Sequence, residues 1–123
     1  MFQVAVKGHF DAAHYLREYS GKCSRIHGHT WYYEICLIGK DLNNGMLVDF
    51  VDVKAALGML EDDFLDHRYL NHVRAFQTDN PTAENIAKFI YQVMKLTFIN
   101  PDVRLLKVIV WESPECSATY WEE

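Results

Sequence analysis

Phe2, Val4 and Val6 alternate with Gln3, Ala5 and Lys7, the period of a strand with one buried face. The stretch to Tyr15 stays aromatic and β-branched in part, with no helical stripe. Arg17 to Arg25 is polar, carries Ser20 and Gly21, and reads as a loop. Ile26 to Ile38, rich in Tyr, Trp, Ile and His, predicts a second strand. Asn44-Gly45 within residues 41–45 is a turn signal, because both residues tolerate positive φ, and Met46 to Phe50 would extend a hairpin beyond it. Val53, Ala56, Leu57, Leu60 and Phe64 then recur at helical steps, with Asp49 or Asp52 as cap. A second helix follows Pro81-Thr82, with Ile86, Phe89, Ile90, Val93 and Met94 on one face. Thr82 would cap it, Glu84 suits its positive N-terminus, and Asn100-Pro101 would stop it. Arg104 to Glu112 alternates as a strand, Ser113-Pro114-Glu115 turns, and Cys116 to Trp121 forms a last strand. This order predicts an α+β fold: an antiparallel four-stranded sheet with two helices on one face. Strands this apolar need cover on the other face as well, and partner subunits are the simplest cover.

The length of 123 residues fits one domain, residues 1–123. Twelve basic residues against 17 acidic ones give a net charge of −5, with no block of Lys or Arg, which disfavours nucleic acid as a partner. Apolar runs fall far below the ~20 residues of a membrane span. The opening MFQVAVKGHF does not resemble a signal peptide, since a lysine and a histidine interrupt it. Three cysteines cannot all pair within one chain, which fits a reduced compartment. The expectation is a soluble, cytoplasmic, single-domain protein that meets no membrane.

The chemistry sits mainly in the histidines. His27 and His29 flank Gly28 within a predicted strand, so both imidazoles point to one face. His14, at the end of the first strand, can neighbour them. Three neutral imidazoles suit tetrahedral zinc with one position open to water or substrate; the alternative is a hydrogen-bonded polar pair without metal. His9 and His72 read as ordinary surface or loop residues. Cys23 precedes His27 in a polar loop beside Lys22 and Arg25, where positive charge would favour the thiolate. It can be a catalytic thiol, a fourth metal ligand or a free loop cysteine. Cys36 and Cys116, inside apolar strands, read as small buried hydrophobes. Asp66-His67 is either a carboxylate-oriented imidazole or a surface pair at a helix end. Glu112 ends an apolar strand; it is either a solvated strand end or a carboxylate awaiting a ligand with adjacent N–H donors.

Taken in order, Phe10-Asp11-Ala12-Ala13-His14, Cys23-Ser24-Arg25-Ile26-His27-Gly28-His29, Asp66-His67-Arg68-Tyr69-Leu70-Asn71, Pro81-Thr82-Ala83-Glu84-Asn85 and Glu112 followed by Ala118-Thr119-Tyr120 resemble the 6-pyruvoyl-tetrahydropterin synthase superfamily. The resemblance spans nearly the whole chain. Three residues between Cys23 and His27 resemble the 6-carboxy-tetrahydropterin synthases of queuosine (7-deazaguanine) biosynthesis; the biopterin-pathway enzymes usually carry a longer insertion there. Trp31 stands where the family often has Tyr or Phe, and Ser113 where Thr is common.

The resemblance implies the tunnelling fold, with three sheets joined into a barrel and two barrels stacked into a homohexamer whose active sites lie between subunits. It implies Zn2+ on His14, His27 and His29. It makes Cys23 the catalytic acid or base, with Asp66 and His67 of a neighbouring subunit setting its protonation. Glu112 would grip the pterin edge, helped by Thr82 and Glu84. The implied reaction converts 7,8-dihydroneopterin triphosphate to 6-carboxy-5,6,7,8-tetrahydropterin, releasing acetaldehyde and triphosphate. The ring is reduced at the expense of the side chain, and no Gly-x-Gly-x-x-Gly nicotinamide motif is present. The competing readings are 6-pyruvoyl-tetrahydropterin synthesis without carbon–carbon cleavage, hydrolysis by zinc-activated water, and a non-catalytic zinc- or pterin-binding module. Lys22 and Arg25 are candidates to meet the phosphates.

Overall fold

Strands β1 (Phe2–His14) and β2 (His27–Gly39) pair antiparallel along their whole lengths, from Phe2 opposite Gly39 to His14 opposite His27, in the computed structural model, which describes residues 1–98 and 101–123. Asn100, half of the expected helix stop, lies outside the described residues. Helix α1 (Phe50–Leu60) starts where the Asp49 carboxylate accepts from the Val51 N–H at 2.9 Å. Helix α2 (Ala83–Thr97) starts where the Thr82 hydroxyl accepts from the Asn85 N–H at 3.2 Å. Between the helices lies β3 (Arg68–Tyr69); after them come β4 (Val103–Ser113) and β5 (Cys116–Tyr120).

The sheet is five-stranded and mixed, in the order β3-β1-β2-β4-β5, and corrects the expected four antiparallel strands. The added strand is short: Arg68 and Tyr69 pair parallel to Ala12 and Ala13. Two residues are too few to show a two-residue alternation, so the sequence pattern could not announce it. The α+β class and the two helices are as expected. No helix among the described residues is long and apolar enough to cross a membrane.

Both helices pack on the same sheet face, α1 on β1 and α2 on β4 and β5. The core between them holds Phe10, Trp31, Tyr33, Ile35, Leu37, Val108 and Val110 from the strands, with Val53, Leu57, Ile86, Ile90 and Met94 from the helices. Burying each of these large side chains contributes roughly 1.5–3 kcal/mol. The other face is mixed rather than uniformly apolar: Lys7, His9, Asp11, Thr30 and Tyr32 are exposed there, beside half-buried Ile109 and Trp111.

Three local expectations change. Met46 to Phe50 forms no strand; the turn at Asn44 and Gly45, with φ of 52° and 78°, closes a single bridge between Asn43 and Met46, and Asp49 then diverts the chain into α1. Phe64 is exposed, because α1 runs into a π-helical turn at Glu61–Leu65 whose wider spacing puts Leu65, not Phe64, inside. The Tyr33 hydroxyl donates to Glu61 at the start of that turn, and a side chain at Gly8 would collide with both. Cys116 is exposed, since it opens an edge strand covered on one side only; Cys36 is buried as expected.

Candidate metal and pterin site

The alternation that builds the core also builds the site. Phe10 and Ala12 on β1, Trp31 and Tyr33 on β2, and Val108 and Val110 on β4 face the helices. Continuing the same parity past the core brings in His14, His29 and His27, and Glu112. The apolar set gives way to ligating groups at Trp31, whose ring stands edge-on to His14 at 4.9 Å and to His29 at 5.2 Å. Its indole N–H donates to the Ala12 carbonyl at 3.3 Å, which fixes it as the floor of the cluster.

One ligand atom from each of His14, His27, His29 and Glu112 lies within 4.8 Å of the others. His14 Nδ1 lies 2.7 Å from the Pro81 carbonyl and His27 Nδ1 lies 2.7 Å from the Arg25 carbonyl. A carbonyl only accepts, so each Nδ1 carries the proton and each neutral ring leaves Nε2 as a bare lone pair. Burial lowers the His14 pKa against the raising effect of the Pro81 bond, and burial lowers that of His29 against the Glu112 charge. Both rings are therefore neutral at pH 7, the form that binds metal.

Glu112 Oε1 stands 3.3 Å from Nε2 of His14 and 3.3 Å from Nε2 of His29. At neutral His14 this is not an ion pair but an acceptor facing an acceptor, and the buried Nε2 atoms of His14 and His29 both lack a hydrogen-bond partner. An orphaned buried acceptor costs on the order of 1–3 kcal/mol, and a cation at the centre removes that cost. The spacing suits one: in a tetrahedron with ligands about 2.0–2.1 Å from zinc, corners lie roughly 3.3–3.4 Å apart. The donor set, imidazole nitrogens with one carboxylate oxygen, is also one zinc accepts. The residues present fit the metal.

Glu112, expected at a pterin edge, thus turns its carboxylate onto the histidines. Cys23 sits half-buried in a short 3-10 turn, Lys22–Ser24, and its thiol is not among the converging ligand atoms. Asp66 and His67 do contact each other, at 2.9 Å, so that pair is real. It is docked on β1, where the Asp66 carboxylate accepts from the Asp11 N–H at 2.9 Å and the His67 main-chain N–H donates to the Asp11 carbonyl at 2.6 Å, and His67 lines one cleft with His29. His67 takes a φ of 55°, and its side chain is 80% exposed. Thr82 spends its hydroxyl on capping α2, Glu84 is exposed in the first turn, and His9 and His72 are exposed as expected. A cleft of about 870 Å³, lined by Phe64, His67, Arg68, Tyr69 and Phe89 among others, contains none of the four converging residues.

One contributor escaped the sequence reading, and Glu112, read as a pterin ligand, was not placed among the histidines. The Pro81 carbonyl orients His14, and a backbone atom leaves no mark in composition. Glu112 joins the histidines only once the register of β2 against β4 is known; its parity with Val108 and Val110 was the available signal.

A family model described as 6-pyruvoyl tetrahydropterin synthase matches residues 3–123. A 6-carboxy-5,6,7,8-tetrahydropterin synthase from Bacillus subtilis is 34% identical, over 97% of this chain and 84% of the relative. A dihydroneopterin monophosphate aldolase from Pyrococcus furiosus is 32% identical, over 92% and 91%. The structure of Caenorhabditis elegans 6-pyruvoyl tetrahydropterin synthase superposes with a TM-score of 0.88 at 30% identity, covering 99% of this chain and 96% of that one. The chain belongs to the 6-pyruvoyl tetrahydropterin synthase family of pterin enzymes.

Proposed function

We propose that this chain is a zinc-dependent 6-carboxy-5,6,7,8-tetrahydropterin synthase, taking 7,8-dihydroneopterin triphosphate and releasing acetaldehyde and triphosphate, as a cytoplasmic step of queuosine biosynthesis. The observation that carries the proposal is the convergence of unpartnered imidazole nitrogens with a carboxylate at the end of the sheet. The short Cys23–His27 spacing and the Bacillus subtilis relative favour the 6-carboxy product.

His14, His27 and His29 hold the metal in this reading. When bound, zinc supplies Lewis acidity toward the hydroxyl-bearing side chain of the substrate. Cys23 moves protons at the side-chain carbons. Asp66 and His67 act on the Cys23 of a neighbouring copy. That arrangement requires a second copy, which the barrel of three sheets in a stacked hexamer supplies, and it is consistent with half-buried Trp111 and Ile109 on the face the helices leave open. Glu112 is 35% exposed in its side chain, free enough to turn from the histidines and accept the amino and ring N–H groups of the pterin. Thr82 and Glu84, at the start of α2, flank the entering ring.

Two other readings rest on relatives of similar identity: 6-pyruvoyl-tetrahydropterin synthesis, from the Caenorhabditis elegans protein, and aldol cleavage of a dihydroneopterin phosphate, from the Pyrococcus furiosus one. Mass spectrometry of the products formed by zinc-loaded protein from dihydroneopterin triphosphate separates all three. A 6-carboxy product with acetaldehyde is the expected result. A pyruvoyl product, or glycolaldehyde with the phosphates retained on it, overturns the proposal.

A further inference from the structure

β1 ends at His14, yet its pairing continues through side chains. The Tyr15 N–H donates to Asn71 Oδ1 at 2.9 Å, and Asn71 Nδ2 donates back to the Tyr15 carbonyl at 3.0 Å. Two residues on, the Arg17 N–H donates to Asn80 Oδ1 at 2.8 Å, and Asn80 Nδ2 donates to the Arg17 carbonyl at 3.0 Å. Each carboxamide presents one donor and one acceptor in the manner of a peptide unit, so two asparagines stand in for a strand neighbour. Asn71 is 4% exposed and is, with His14, one of the two buried polar residues among the described residues.

The segments joined by the two amides carry the site. Between them, the Leu16 N–H donates to the Cys23 carbonyl at 2.7 Å, tying the Cys23 turn to the clamped segment. The Asn80 main-chain carbonyl accepts from the Thr82 N–H at 2.8 Å and from Asn85 Nδ2 at 2.8 Å, so the residue whose carboxamide clamps Arg17 is itself anchored beside Pro81. That fixes the next residue, Pro81, whose carbonyl orients His14. Asn71 lies in the segment that carries Asp66 and His67 and gives its own carbonyl to the Arg17 guanidinium at 3.2 Å.

We infer that Asn71 and Asn80 are positioning residues for this site: an amide double clamp that sets the His14 ring and the Cys23 turn relative to each other. The inference rests on the reading of His14 as a metal ligand and Cys23 as the reacting thiol. The Pro81 carbonyl is the partner bonded to His14, and losing such a partner typically weakens metal binding by about 10–100-fold; Asn71 and Asn80 act one step further out.

The test compares wild type, His27→Ala, Asn71→Ala, Asn80→Ala and Asn80→Asp. Cobalt affinity is measured by chelator competition, and iodoacetamide labelling of the metal-free protein is followed cysteine by cysteine, with exposed Cys116 as internal reference. Asn80→Ala is expected to bind cobalt several-fold more weakly, up to about the tenfold typical of losing a directly bonded partner, and to label Cys23 several-fold faster at an unchanged Cys116 rate. Asn80→Asp keeps the acceptor for the Arg17 N–H and loses the donor, so it falls between. Should Asn71→Ala fail to fold, the half-buried Asn80 pair carries the test alone. Wild-type cobalt affinity and wild-type Cys23 labelling in both Asn80 variants overturn the clamp, even with a lowered Tm. If wild type and His27→Ala bind cobalt equally poorly, the metal reading fails instead, and Cys23 labelling still decides the clamp.

Discussion

His14 and His67 each lie about 3 Å from a carboxylate, yet the two surroundings drive them to opposite states. His14 is 1% exposed, spends Nδ1 on the Pro81 carbonyl and is held neutral by burial, so its free nitrogen faces Glu112 as acceptor to acceptor. His67 is 80% exposed, and the hydrogen bond from its Nδ1 to Asp66 raises its pKa above the ordinary 6.5. The Asp11 N–H, and then His67, lower that of Asp66 below 3.8. One arrangement is a set of lone pairs that could hold a cation; the other is a charged, hydrogen-bonded pair. Desolvation and the direction of the available hydrogen bonds, not the residue types, separate the two states.

The largest effect expected from this contrast is on turnover. Cys23→Ala should lose about 10²–10⁴-fold in kcat, the range of general acid–base groups, while keeping its metal. Adding His67→Ala to it should cost little more, because groups that act as one unit are non-additive. Steady-state rates beside metal content check this, and loss of metal in Cys23→Ala would move the thiol into the cluster.

Glu112→Gln sharpens the comparison from the other side. It keeps shape but places a donor where the pterin edge offers donors, so pterin binding should weaken by roughly 1.5–3 kcal/mol. Titration calorimetry with a pterin and with zinc separates the two roles: unchanged pterin affinity with weakened zinc would make Glu112 a ligand only.

The fold's chemistry was legible where one parity runs unbroken. His14 could be placed beside the His27 and His29 pair because a strand shows every second residue on one face, and Thr82 was readable as a cap because Pro81 and an apolar stripe bracket it. Elsewhere the information is not local. β3 is two residues long, the π turn shifts the helical phase by a residue so that Leu65 replaces Phe64 inside, and Glu112 meets the histidines only through the β2–β4 register. The clamp on Tyr15 and Arg17 uses asparagines more than fifty residues away in the chain. The reading of Asp66-His67 left contact or no contact open, and a positive φ at His67 closes the contact.

A smaller effect concerns pH. Asp66 contributes only above its depressed pKa, and this is lost as pH falls through that value. His67 contributes fully below 6.5, and its share is lost as pH rises through its elevated folded pKa. The charged pair therefore persists from below pH 3.8 to above pH 6.5. An NMR titration should place the His67 midpoint above 6.5 and return it toward that value in Asp66→Asn. An unmoved midpoint would mean that the pair does not form in solution.

The central claim, that the buried lone pairs at the end of the sheet hold a divalent metal, is tested most directly by cobalt substitution read through visible absorption. The account predicts about one cobalt per chain with the intense d–d bands of a four-coordinate site, unchanged in His67→Ala and abolished in His27→Ala. Absence of stoichiometric binding by wild type, or binding that survives His27→Ala, would contradict it.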